Sequence, residues 1–267
     1  MKAIGVSGLK QTRPPASGAT VPASGAGVRL SAETDPARSP GRIPTRREPP
    51  GTGEETVTRA RDAPAGTNGD GEERMEIMTV CTGNICRSPL AAVLLATRLA
   101  DLDVTVVSAG VRGLDDAPMT PESVDLAVQH GADRASADAH RSRYLTADLL
   151  TSPDLILAMT RDHRREITAL APARLRTTFT LRELARLSAS ATDDDLVAAA
   201  TGDDPSARLR AVAAHLASLR GLVVGPADPN DDDVIDPYGR SHDVYARSAQ
   251  QLVPALAQVE RLVRLAA

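Results

Sequence analysis

Cys81 and Arg87 stand six positions apart in VCTGNICRSPL (residues 80–90), with Ser88 directly after the arginine and a second cysteine, Cys86, directly before it. A thiol, a guanidinium and a hydroxyl at this spacing suit nucleophilic attack on a tetrahedral oxyanion. The C-x5-R spacing lets the backbone wrap one anion, with the thiol of Cys81 beneath it and the guanidinium of Arg87 at its edge. Arginine holds two equatorial oxygens at once in a fork, whereas lysine carries the charge without the fork. A free thiol titrates near about 8.5, but a helix N-terminus, a nest of amides and a neighbouring arginine all lower that value and favour the nucleophilic thiolate. Gly83 is expected to provide the positive φ that such a nest needs. Asn84 is expected to hold the loop's shape through its own hydrogen bonds, and Ser88 to donate to the thiolate. Thr82, Ile85 and Cys86 complete the phosphate-binding loop. The nucleotide-binding pattern G-x-x-x-x-G-K-[ST] does not fit, because its lysine is missing.

Such a loop works only if the elements on either side hold it. MEIMTV (75–80) is a short apolar run that reads as a strand, and SPLAAVLLATRLA (88–100) reads as a helix with proline in its first turn. A strand-to-helix turn collects N–H groups without intrahelical partners, which with the helix dipole make an anion site. DVTVVSAG (103–110) is predicted to be a second strand, and TPESVDLAVQHG (120–131) a helix with Thr120 as N-cap and Gly131 past its end. PDLILAM (153–159) suits a strand buried on both faces, followed by a helix up to Pro172, and LRTTFTL (175–181) suits a fourth strand. This alternation predicts an α/β domain around a parallel sheet. From Ser188 to Asp233 polar stretches surround DLVAAA and one amphipathic helix over 207–222. The Asp231–Asp233 run reads as solvated loop. A last helix spans 241–266, capped by Ser241, and Pro254 is expected to kink or interrupt it.

VCTGNICRSPLAA resembles the active-site loop of the low-molecular-weight protein tyrosine phosphatases, in their bacterial form. The similarity continues through SAG (108–110) and AHRSRYLT (139–146) to DPYGRSHDVY (236–245), so it covers residues 75–267 apart from an insertion at about 188–233. It implies a four-stranded parallel sheet flanked by helices, with the phosphate-binding loop after the first strand. It also implies hydrolysis of phosphotyrosine on proteins through a cysteinyl-phosphate intermediate. Cys81 would be the nucleophile, Arg87 the phosphate clamp, and Asp236 of the Asp-Pro-Tyr motif the general acid and base. The chemistry asks for such a carboxyl group independently. The leaving group must be protonated as the P–O bond breaks, and the thiophosphate is then hydrolysed by an activated water.

Tyr238 and Leu114 are expected at the substrate rim. Eukaryotic relatives carry an aromatic in the place of Leu114, while bacterial relatives linked to exopolysaccharide synthesis are similar to this chain there. The implied partners are a phosphotyrosine protein and a tyrosine kinase of polysaccharide synthesis. No cofactor and no metal is implied, since the arginine and amides supply the positive charge. Two alternatives remain open: arsenate reduction with a small-thiol co-reductant, and a non-catalytic phosphate-binding interaction module. Cys86 reads either as a resolving cysteine, able to trap an oxidised Cys81 as a disulfide, or as a small residue packed under the loop.

Residues 1–74 hold 11 of the 19 glycines, 9 of the 19 prolines and no Phe, Tyr or Trp, and are expected to be a mostly disordered tail, with Met75 a possible true start. From Met75 onward 20 Arg and no Lys face 26 Asp plus Glu, a balance against general binding of nucleic acid or a membrane surface. There is no signal-peptide pattern and no apolar run of about 18 residues. With only two cysteines, close together, the reading is a cytoplasmic monomer in a reducing compartment. His140, His163 and His242 are expected at the surface or as caps.

Overall fold

A computed structural model describes residues 74–267, so the tail expected over residues 1–74 lies outside the described residues apart from Arg74. Strands β1 (Met75–Cys81), β2 (Val104–Gly110), β3 (Leu155–Ala158) and β4 (Thr178–Thr180) form one sheet in the order β2-β1-β3-β4, with every pairing parallel. Parallel neighbours need crossovers, and helices supply them. α1 (Arg87–Arg98) joins β1 to β2, α2 (Pro121–Gln129) and α3 (Arg134–Asp138) lie between β2 and β3, and α4 (Arg161–Leu170) joins β3 to β4. Four more helices follow: α5 (Leu181–Ala189), α6 (Asp193–Ala199), α7 (Pro205–Ser218) and α8 (His242–Ala266). The four-stranded parallel sheet flanked by helices is the architecture expected from the sequence.

Successive side chains of a strand leave on opposite faces, and β1 uses both. Met75, Ile77 and Cys81 enter the larger core with α1, α5, α7 and α8, while Met78 and Val80 enter a smaller one with Ile167 of α4. β3 divides in the same way, Leu155 and Leu157 to the larger core, Ile156 and Ala158 to the smaller. Burying each such Leu or Ile contributes about 1.5–3 kcal/mol. The order of strands reverses direction between β1 and β3. In an open parallel sheet that switch point, at the carboxyl ends of the strands, is where a crevice forms, and the loop after β1 lies there.

Several helices depart from the sequence expectation. α5 begins directly after a β4 shorter than the predicted strand, and Thr180 caps it in a reciprocal capping box with Glu183. α3 and α6 are short, each capped by its own Asp133 or Thr192. The segment read as an insertion contributes to the main core: Leu196 of α6 and Leu209, Val212, Ala213 and Leu216 of α7 are all buried in it. α8 runs through Pro254 without interruption, with Pro254 exposed and its neighbours Leu252 and Ala255 buried. Packing of the opposite face outweighs the one hydrogen bond that proline removes. Among the described residues no helix is long and apolar enough to cross a membrane.

Candidate active site

β1 ends at Cys81 and α1 begins at Arg87, so residues 82–86 carry the chain from sheet to helix. Their carbonyls are taken up outward. Thr82 O accepts from Arg112 N at 2.9 Å, Ile85 O from Thr120 N at 2.9 Å, and Asn84 O from His140 Nε2 at 2.8 Å. In a trans peptide the N–H points away from the C=O of its own plane, and no described peptide bond is cis. The amides of Gly83, Ile85 and Cys86 are thereby turned to the inner side of the loop, at the positive end of α1. Asn84 N donates to Cys81 Sγ at 3.3 Å.

The left-handed residue of the loop is Asn84, with φ of 56°, and not Gly83. Asparagine tolerates this region better than most side chains, and here its amide is fully committed. Oδ1 accepts from Arg143 N at 3.1 Å, while Nδ2 donates to Ser88 Oγ at 2.9 Å and to Ser108 Oγ at 2.8 Å. With Asn84 donating to its oxygen, the Ser88 hydroxyl keeps its proton for Cys81 Sγ, 3.0 Å away. The glycine that the loop does require is Gly110 at the end of β2. A Cβ there would stand 2.6 Å from Thr82 O and 3.0 Å from Asn84 N, whereas one at Gly83 would make ordinary contacts only, the nearest Leu114 Cδ1 at 3.5 Å and Ile85 Cγ1 at 3.6 Å.

Arg87 is buried beside this loop. Its NH1 donates to Val234 O at 3.1 Å, and its NH2 donates to Thr82 Oγ1 at 3.2 Å and pairs with Asp236 Oδ2 at 2.8 Å. Its Nε is buried and without a partner. The carboxylate of Asp236 is half exposed and accepts from Tyr238 N through Oδ1. The segment leading to it is anchored, since Val234 N donates to Met159 O at 2.8 Å and Ile235 N to Gln251 Oε1 at 2.9 Å. Asp232 and Asp233, expected in a solvated loop, are ion-paired with Arg186 at 2.8 Å and Arg161 at 3.2 Å.

Cys81, Ile85, Arg87, Leu114, Asp236 and Tyr238 thus line one cleft of about 230 Å³ with Thr82, Gly83 and Cys86. Leu114 and Tyr238 stand exposed at its mouth. The thiol of Cys86 lies 3.6 Å from Thr120 Oγ1 and 3.7 Å from Tyr245 OH. Burial pushes this thiol up, and it pushes the Tyr245 hydroxyl up to about 12.

Two histidines expected at the surface are part of the site's support. His140 holds Asn84 O, and burial lowers its imidazolium. His163 is 5% exposed, its Nε2 is 2.9 Å from Thr82 Oγ1, and burial followed by the Arg87 charge lowers it to about 4. His242, by contrast, is exposed at the start of α8. Arg143, Ser108, Gly110 and Gln251 also support the site. The stretches SAG and AHRSRYLT were the available signal for all of these but Gln251 and His163. No group of three His, Cys, Asp or Glu among the described residues is placed to hold a metal ion.

The family described as Low molecular weight phosphotyrosine protein phosphatase matches residues 76–196, a range that includes the loop and Leu114 but not Asp236 or Tyr238. The chain is 47% identical over 96 residues to the low molecular weight protein-tyrosine-phosphatase Etp of Escherichia coli K12, covering 36% of this chain and 62% of that protein's length. It is 42% identical over 108 residues to the probable low molecular weight protein-tyrosine-phosphatase EpsP of Ralstonia solanacearum, covering 40% of this chain and 71% of that protein. A longer match, 29% identical over 192 residues, covers 71% of this chain and 97% of the protein-arginine-phosphatase of Bacillus subtilis.

Proposed function

The chain belongs to the low molecular weight phosphotyrosine protein phosphatase family, and from that premise we propose that it hydrolyses phosphotyrosine on proteins through a cysteinyl-phosphate intermediate. The observation that carries this reading is the loop itself. A thiol receives two hydrogen bonds, from Asn84 N and Ser88 Oγ, under inward-turned amides, next to a buried arginine whose Nε has no partner. A buried N–H left unpaired costs about 1–3 kcal/mol, and an oxygen of a bound phosphate would satisfy it.

The steps follow from the geometry. Phosphate enters with its oxygens on the amides and on Arg87, and Cys81 as thiolate attacks phosphorus in line with the leaving oxygen. Asn84 N and Ser88 Oγ stabilise the thiolate before attack. The P–O bond breaks as the S–P bond forms, and Asp236 gives its proton to the departing phenolate. Asp236, now a carboxylate, takes a proton from water as that water attacks the thiophosphate, and inorganic phosphate and the Cys81 thiolate are released. The arginine and amides stabilise the charge that moves onto the equatorial oxygens.

The cleft walls favour an aromatic ring. Ile85, Leu114 and Tyr238 line the cleft with carbon, and Asp236 is the one carboxylate among the described lining residues, beside two guanidinium groups, Arg87 and Arg112. A phosphoarginine would bring a third guanidinium into that cleft. The test is a steady-state comparison, on the full chain, of phosphotyrosine and phosphoarginine peptides of the same sequence, with arsenate plus small thiols as a further arm. Turnover of the phosphotyrosine peptide is expected, lost in Cys81→Ser while inorganic phosphate still binds. Preference for phosphoarginine or for arsenate reduction, or turnover surviving Cys81→Ser, would overturn the reading.

A further inference from the structure

Thr82 carries a hydroxyl between two buried side chains, the Arg87 guanidinium on one side and the His163 imidazole on the other. Its Oγ1 lies 3.2 Å from Arg87 NH2 and 2.9 Å from His163 Nε2. Arginine only donates, so Thr82 Oγ1 is the acceptor toward Arg87 and has its own proton for His163. When that proton is given to the ring, Nε2 is the bare nitrogen and the ring proton is on Nδ1, 3.0 Å from Thr160 Oγ1. Thr160 also caps α4 by accepting from His163 N at 3.3 Å. In this arrangement each ring nitrogen is matched while the imidazole is neutral, whereas a second ring proton on Nε2 would turn the Thr82 hydroxyl proton away. Burial and the Arg87 charge keep the imidazole neutral, against the opposing charges of Asp162, Asp233 and Asp236.

Of the three groups that hold the guanidinium, Asp236 is half exposed and is required elsewhere during turnover, to protonate the leaving group. Val234 O holds NH1 alone. NH2 is left to Thr82.

We propose that Thr82 and His163 are positioning residues for Arg87: the imidazole orients the Thr82 hydroxyl, whose lone pair holds the NH2 edge of the guanidinium in place for phosphate when Asp236 leaves it. This rests on the phosphatase reading above. It assigns a function to α4, whose first turn delivers His163 to the loop.

The experiment compares Thr82→Val, Thr82→Ser, His163→Phe and the double variant Thr82→Val/His163→Phe in the full chain. Inhibition by inorganic phosphate against p-nitrophenyl phosphate is measured, together with kcat, KM and the thermal midpoint. Loss of a hydrogen bond to a charged group is expected to raise the phosphate inhibition constant about tenfold in Thr82→Val. The double variant should be no weaker than the weaker single one, because both changes break the same row, and Thr82→Ser should stay near wild type. Valine keeps the shape of threonine, so the outcome does not hang on the buried histidine variant folding. Nitrogen-15 spectra of the wild type should show a neutral His163 protonated on Nδ1, with Nε2 shifted in Thr82→Val. An unchanged phosphate constant in an otherwise active Thr82→Val, additive losses in the double variant, or a His163 protonated on Nε2 would overturn the proposal alone. A wild type that neither turns over the aryl phosphate nor binds phosphate would overturn the phosphatase reading, and this proposal with it.

Discussion

Asp236 and Arg87 form an ion pair whose two members differ in freedom: the arginine side chain is 4% exposed and the carboxylate 51%. The exposed member is the one asked to move a proton. In Asp236→Asn, kcat is expected to fall by roughly 10² to 10⁴ on phenyl phosphates. The loss should shrink as the leaving phenol becomes more acidic, which a plot of log kcat against phenol pKa reads directly. A uniform loss across that series would point to Arg87 misplacement rather than to proton transfer. At this scale the sequence was partly legible. Cys81, Arg87 and Ser88 are neighbours along the chain, so their types and spacing carry the arrangement. Asn84 was given a bonding role, yet its left-handed backbone was assigned to Gly83, because glycine is the usual occupant of that region. His140 and His163 reach the loop from 56 and 81 positions away, to Asn84 and Thr82. No local spacing encodes contacts that a parallel sheet creates.

Among the elements, β2 meets the loop most closely, and its last residue sets how near the loop can lie. Gly110 is not in the left-handed region, so a side chain is excluded there by backbone atoms alone. Gly110→Ala is expected to cost about 1–3 kcal/mol through overpacking and to lower kcat by displacing Thr82 and Asn84. Urea titration and initial rates on the same sample measure both. A stable and fully active variant would mean that the loop can shift without consequence. The strands and the crossover helices were legible from their apolar periodicity. α5 was not: no glycine or proline separates it from β4, and Thr180, the N-cap of its T-x-x-E capping box, fell within the predicted strand over 175–181. The buried face of α7 was visible as an amphipathic pattern, while its place in the main core depends on β1 and β3, far away in sequence.

For the molecule as a whole, two histidines, His163 buried and His140 half-buried, set a dependence on acid. His163 titrates at about 4 when folded against an ordinary 6.5, so between those values the unfolded chain takes up a proton that the native chain refuses. Stability is complete above about 6.5 and falls as the pH drops through this window, by up to about 3 kcal/mol from His163. His140, lowered by burial, acts in the same direction. Glu76, raised by burial, acts oppositely, since its native form retains a proton as the pH rises above 4.5. Urea midpoints at several pH values should fall on acidification, and less steeply in His163→Phe. Equal slopes in the two proteins would remove His163 as the source.

Because every strand runs the same way, the sheet has a working end and a back end. The cleft opens where β1 finishes, and Arg74 enters where β1 starts, seven residues and about 20 Å of extended chain away. A reporter or resin attached at Arg74 itself is therefore joined at the pole opposite to the cleft. Held at Arg74 in that orientation, a Cys81→Ser variant would present its mouth to solution, the arrangement of choice for capturing phosphoproteins.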